Sequence, residues 1–201
     1  MNEVRRLVAE EYADLLALLR GLTDEQWRTP SLCAGWRVRD VVGHLVFNML
    51  PVPAYVGAAL RHRSADRINA HLVGRAAELS TGQLLDRFES WVDGRHLGWL
   101  LPWLALADVL VHQQDIRRPL GLSRPIPAER LVQTLRRPDP FAQPGRRMRG
   151  LRFEATDVPW SSGAGPLVRG CGEALALAVA GRAVVLDELT GDGVTVLRGR
   201  V

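Results

Sequence analysis

A mainly α protein, an up-down four-helix bundle followed by a small α+β unit, is what this 201-residue chain predicts. Three observations carry the prediction. Four segments repeat apolar residues at three- and four-residue steps, two stretches open on a capping box, and short alternating runs enter only beyond about residue 150.

In the first segment Val4, Leu7, Val8, Tyr12, Leu15, Leu18, Leu19 and Leu22 form one stripe on an amphipathic helix. Thr23 with Gln26 three residues later reads as a capping box for a short turn bearing Trp27, and "TPSLCAGW" then forms a loop. The second long helix starts near Arg37 on the stripe Val38, Val41, Val42, Leu45, Val46 and Met49, with Pro51 and Pro53 ending or kinking it before "AYVGAALRHR". Ser80 and Gln83 announce the third, which continues through Leu84, Leu85, Phe88, Trp91 and Val92 until Gly94 and Gly98 break it. The fourth begins at Pro102, runs through Trp103, Leu106, Val109 and Leu110, and ends at Arg117, Arg118, Pro119 and Gly121.

These segments define a bundle over residues 1–121. Residues 122–149 alternate prolines with arginines and read as a linker, with one short helix at "AERLVQTL" and a solvated or anion-binding character for the rest. Residues 150–201 form the tail: "LRFEA" as a strand, "GPLVRGCGEALALAVAGR" as a helix with Pro166 near its start and Gly181 at its end, and "VTVLRGR" as a final strand.

Composition excludes several function classes. All 26 basic residues are arginine, the formal charge is only +4, and no nucleic-acid-binding signature or aromatic interleaving accompanies it. The N-terminal segment carries acids inside its apolar pattern, unlike a signal peptide, and no run is long enough to span a membrane, so a cytoplasmic location is expected. Cys33 and Cys171 lie far apart and imply no disulfide framework; Cys33 reads as a buried structural thiol. Trp27, Trp36, Trp91, Trp99, Trp103 and Trp160 read mainly as core anchors.

The chemistry lies in two histidines on predicted helices. His44 and His112 each have a carboxylate one turn upstream, Asp40 and Asp108, and residues four apart stand on one helical face. Asp108 and His112 can therefore aim two ligands at one point, and His44 can add a third if its helix packs alongside. Such a set leaves a coordination position open, as catalytic metal sites do. Asp115, three residues beyond His112, is placed to orient that imidazole, the alternative being an ion pair with Arg118. Asp40 reads as a first-turn acid favoured by the helix dipole, or as a support for the metal ligands.

The segments "LTDEQWRTPSLCAGWRVRDVVGHL", "DVLVHQQDIRRPLG", "ATDVPWSSGAGPLVRGCGEALALAVAGR" and "LDELTGDGV" resemble the mycothiol-dependent maleylpyruvate isomerase family, within the DinB-like metalloprotein superfamily. The resemblance extends over nearly the whole chain. It implies a DinB-like four-helix bundle with a small C-terminal α+β domain and a divalent metal, commonly zinc, held by His44, Asp108 and His112. The family's isomerases carry glutamate where this chain has Asp108, one methylene shorter.

The resemblance also implies mycothiol or another small thiol as cosubstrate and a small electrophile as its target, with S-transfer or cis-trans isomerisation as the reaction. A non-catalytic metal-binding stress-response module and a metal-dependent hydrolase are the competing expectations for the same residues. Neither nucleic acid nor membrane is expected as a partner, and the chain is expected to be a monomer or homodimer. The resemblance sets the tail beside the substrate pocket, where Arg182 could clamp a carboxylate; the alternative is that it caps the preceding helix.

Overall fold

The computed structural model describes residues 2–48, 73–92 and 101–201. The expectations for Met49, Pro51, Pro53, Gly94, Gly98 and Trp99 lie outside the described residues, as does the side chain of Trp91. The chain is mainly helical with one small sheet, and among the described residues no helix is long and apolar enough to cross a membrane. It divides into two compact units, Met1–Ala105 with His112–Ser123, and Leu106–Val111 with Arg124–Val201.

The first unit is helical. Helix α1 spans Asn2–Arg20 and buries Leu7, Val8, Tyr12, Leu15, Leu16 and Leu19, so the stripe turns slightly from the expected one: Leu16 is inside and Leu18 only half-buried. The short α2, Asp24–Arg28, has both halves of the expected capping box: Gln26 N donates to Thr23 Oγ1 at 3.3 Å and Thr23 N to Gln26 Oε1 at 2.9 Å. Helix α3, Val38–Asn48, buries Val38, Val41, Val42, Leu45 and Val46. Residues 73–77 are helical, and α4, Thr81–Val92, starts on the reciprocal Ser80–Gln83 bonds of 2.9 and 3.1 Å. Leu84 and Phe88 of α4 are fully buried, and Phe88 meets Tyr12 of α1 edge to face at 5.7 Å between ring centres.

Helix α5, Pro102–Arg117, starts on its proline as expected. From Ala105 to Ile116 every side chain is buried except Asp108 and His112, which are half-buried. A helix this enclosed should be apolar all round. Gln113, Gln114 and Asp115 are the buried exceptions, and Asp108 and His112, four apart, are the two positions that open out of the packing.

The second unit holds a three-stranded sheet in the order β2-β1-β3. Strand β1, Arg152–Ala155, pairs antiparallel with β2, Ser161–Gly163, and parallel with β3, Leu167–Gly170, in the register Phe153 opposite Ser162 and Val168. Helix α6, Ala128–Arg136, lies where "AERLVQTL" was expected and buries Leu131 and Leu135. A 3-10 turn at Pro140–Ala142 and the short helix α7, Pro144–Met148, follow within the proline- and arginine-rich stretch. Helix α8, Gly172–Val179, is buried except at Glu173, and its Ala174–Val179 stretch shares one core with Phe153, Val168, Leu131 and Leu135.

Two expectations for the tail are corrected. The stretch from Pro166 is not all helix: Leu167–Gly170 is strand β3, with Val168 and Gly170 buried in alternation, and α8 starts only at Gly172. Asp157 fixes that start by accepting from Gly172 N at 2.7 Å, and Gly181, at φ +92, ends the helix as expected. "VTVLRGR" is not a strand but helix α9, Gly193–Arg198, which buries Gly193 and Leu197 at four-residue spacing. Its close approach to the carbonyls of Pro166 and Leu167 leaves no room for a Cβ at Gly193.

Arginines act structurally here. Arg147 donates to the carbonyl of Val179 at 3.2 Å and to that of Ala142, and Arg200 donates to the carbonyls of Arg147 and Arg149 at 3.0 and 2.6 Å. Burial, aided by the charges of Arg146 and Arg182, pulls Arg147 below the usual guanidinium value. It clamps the end of α8 to the turn at Ala142.

Candidate metal centre

Helices α3 and α5 carry the histidines. His44 is 6% exposed on α3, and its ring meets that of His112 edge to face at 4.8 Å between centres. One turn before His112 on α5, Asp108 completes a group in which one ligand atom from each residue lies within 4.8 Å of the others. Two atoms bound to one zinc ion at about 2.0–2.2 Å stand at most about 4.4 Å apart. On a tetrahedral ion the spacing is roughly 3.3–3.6 Å, so rotamer adjustment of no more than about 1.5 Å brings the three onto one point.

Gly43 is what lets the neighbouring backbone approach this point. A Cβ there would overlap the Cβ of Ala76, so residues 73–77 reach α3 immediately beside His44 only because position 43 has no side chain. Trp36 packs against the His44 ring at 5.3 Å between centres, tilted by 49°, which restricts that imidazole.

Asp115 stands where the spacing placed it, against His112. Its Oδ2 lies 2.9 Å from His112 Nδ1, and the carboxylate is fully buried. A carboxylate facing Nδ1 selects the tautomer with the proton on that nitrogen, which leaves Nε2 with a lone pair for a metal. Asp40 does otherwise. It accepts from the backbone N–H of Arg37 at 2.9 Å and from its guanidinium at 3.0 and 3.3 Å, and among the described residues it joins neither ligand group. The hydrogen bond and charge of Asp40 raise the Arg37 pKa further. The pair fastens the first turn of α3 and so acts on His44 through the helix.

Arg182 donates to the carbonyl of Ala180 at 2.9 Å, the capping contact at the end of α8. Trp27 and Trp160 are buried as core residues, while Trp36 and Trp103 are half-buried.

Cys33 is where the reading from sequence fell short. It is half-buried rather than enclosed, its Sγ donates to Asp115 Oδ2 at 3.1 Å, and it lies 3.7 Å from His112 Nδ1. The loop that carries it is closed on itself: Ser31 N donates to the Trp36 carbonyl at 2.8 Å, Cys33 N to Ser31 Oγ at 3.1 Å, and Gly35 turns the chain at φ +77. It is also tied to α5, with Leu32 N donating to the Asp115 carbonyl at 3.1 Å. Nothing local in "SLCAGW" signals a partner some eighty residues on; only the tightness implied by Ser31 and Gly35 was legible.

Comparison with known proteins agrees with the resemblance. Residues 8–70 match the family model of the mycothiol maleylpyruvate isomerase N-terminal domain. No curated protein matches the chain. Solved structures that it resembles include the mycothiol-dependent maleylpyruvate isomerase and a histidine-to-alanine mutant of that enzyme. Each is 14% identical over 94% of this chain and 90% of that one, at TM-scores of 0.56 and 0.62. At such identity the structural likeness is one of fold. The segment 8–70 thus has the pattern of the mycothiol maleylpyruvate isomerase N-terminal domain, and the chain has that isomerase's fold.

Proposed function

We propose that this chain is a divalent-metal-dependent enzyme that activates a small thiol of the mycothiol type for addition to an electrophilic small molecule, as an S-transferase or a cis-trans isomerase. The observation that carries the reading is the convergence of one ligand atom each from His44, Asp108 and His112 within 4.8 Å, at the one opening of an otherwise buried stretch of helix. Two imidazoles and a carboxylate suit zinc, which tolerates a fourth, exchangeable position. The buried Asp115 behind His112 is the partner that such a ligand ordinarily has.

His44, Asp108 and His112 would hold the metal. When bound, it supplies Lewis acidity that lowers the pKa of a thiol at the open position. Trp36 packs against the His44 ring and helps to hold it in place. Asp115 accepts the proton on Nδ1 of His112 and so fixes the tautomer and orientation of that ring. Asp108, shorter by one methylene than glutamate, would offer its carboxylate from nearer the helix axis. A thiolate adding to a conjugated double bond makes it single; rotation and elimination then give the trans isomer, and without elimination a conjugate remains.

The reading includes the division into a metal-carrying bundle 1–121, a linker 122–149 and a tail 150–201, a cytoplasmic location, and a monomer or homodimer that engages neither nucleic acid nor membrane. Arg182 enters it as a substrate contact only if its bond to Ala180 is released. The test is incubation of zinc-loaded protein with mycothiol and a panel of electrophiles including maleylpyruvate. Thiol-dependent isomerisation or thiol consumption, lost in His44→Ala, is expected. Electrophile hydrolysis without thiol, or metal binding with no turnover, would replace the reading by a hydrolase or a binding module.

A further inference from the structure

A second set of donor atoms meets at Nδ1 of His112, all within the first unit. We propose that Cys33 Sγ, His112 Nδ1 and Asp115 Oδ2 form a further cation site, one that takes a thiophilic divalent ion such as Cd2+ or excess Zn2+. The three separations are 3.7 Å for Sγ to Nδ1, 3.1 Å for Sγ to Oδ2 and 2.9 Å for Nδ1 to Oδ2. Ligand atoms on a tetrahedral zinc, at bonds of about 2.0–2.3 Å, stand roughly 3.3–3.6 Å apart. The sulfur and imidazole stand within about 0.1 Å of that range, and the carboxylate needs to move by only about half an ångström. Two anchored elements bring the donors together: helix α5, and the loop tied to it through Leu32 N and the Asp115 carbonyl. One thiolate, one imidazole and one carboxylate form a set that zinc accepts, and the sulfur biases it toward softer ions.

Binding breaks the Cys33 S–H bond, sends its proton to solvent and forms the sulfur–metal bond, with no change of oxidation state. His112 then ligates through the lone pair of Nδ1, and its one ring proton resides on Nε2. In that tautomer the ring cannot serve His44 and Asp108, so occupation of this site and of the candidate metal centre is mutually exclusive. The exclusion rests on the proposed function; the site itself does not.

The experiment is titration of the purified full-length chain with Cd2+, reading the ultraviolet sulfur-to-cadmium charge-transfer absorption. A saturable band is expected in the wild type, in Cys171→Ser and in His44→Ala, and its loss in Cys33→Ser with the circular dichroism of the fold retained. If Cys33→Ser does not fold, alkylation of the wild type read by peptide mass spectrometry gives the answer: Cd2+ should protect Cys33 and leave Cys171 reactive. Absence of a saturable band in the wild type, its persistence in Cys33→Ser, or equal alkylation of Cys33 with and without Cd2+ overturns the proposal. Co2+ binding to Cys33→Ser reports the His44, Asp108 and His112 group alone, so its failure would count against the proposed function and not against this site.

Discussion

Replacing Asp115 by alanine removes a fully buried carboxylate whose Oδ2 lies 2.9 Å from His112 Nδ1 and accepts from Cys33 Sγ at 3.1 Å. Two donors lose their acceptor, and the His112 ring loses the contact that fixes its tautomer. At roughly 0.5–1.5 kcal/mol per hydrogen bond the stability cost is about 1–3 kcal/mol. At about 2–4 °C per kcal/mol for a chain of this size, the melting temperature of the metal-free protein should fall by roughly 2–12 °C. Loss of a ligand's supporting partner typically weakens metal affinity about 10- to 100-fold, which is about 1.4–2.7 kcal/mol. Chelator-competition titration with Zn2+ measures the affinity, and scanning calorimetry the stability. Asp115→Asn, which keeps the shape and one acceptor oxygen, should fall between wild type and Asp115→Ala, and the same order should hold with Cys33→Ser as the parent. A folded Asp115→Ala protein that binds zinc with wild-type affinity would refute the assignment of Asp115 as the support of His112.

Asp157→Ala deletes the acceptor for Gly172 N at the start of α8 and should cost about 0.5–2 kcal/mol, seen as a lower urea midpoint; an unchanged midpoint would mean another group caps the helix. Gly43→Ala forces a methyl onto Ala76 and should cost stability in the overpacking range, about 1–3 kcal/mol before a gain of about 1 kcal/mol from helix propensity. Adding Ala76→Gly should restore the packing, and a double-mutant cycle without coupling would contradict the contact. Arg182→Ala should lower stability by about 0.5–1.5 kcal/mol through its bond to Ala180 while kcat/KM of the folded protein holds. A large fall in kcat/KM at unchanged melting temperature would assign it to the substrate instead.

What the sequence made legible was local or periodic. The capping boxes at Thr23 and Ser80 have the reciprocal bonds their spacing implies, and the i, i+4 relation of Asp108 and His112 needs only the helix that Pro102 starts. The six residues of α9 span less than two helical turns, too few for period 2 to be told from period 3.6, and its valines favoured the strand. The boundary between β3 and α8 was hidden because the side chain that starts the helix, Asp157, lies fifteen residues upstream. Cys33 was misjudged for a related reason: a thiol's surroundings come from tertiary contacts, and those of Cys33 lie on α5, while its own loop shows only turn chemistry.

Between Ala105 and Ile116 only two side chains escape burial, and this fixes where the protein can change over generations. The ten buried positions tolerate little change of bulk, since substitutions there disturb the packing. Positions 108 and 112 are therefore where this helix can change its chemistry with least disturbance of the core. A lineage seeking a different metal or a differently sized acceptor can vary the length of the acid at 108 without repacking the helix. The same asymmetry serves a protein engineer: a small library at Asp108, paired with the loop residues around Cys33, explores most of the reachable chemistry while leaving the core untouched.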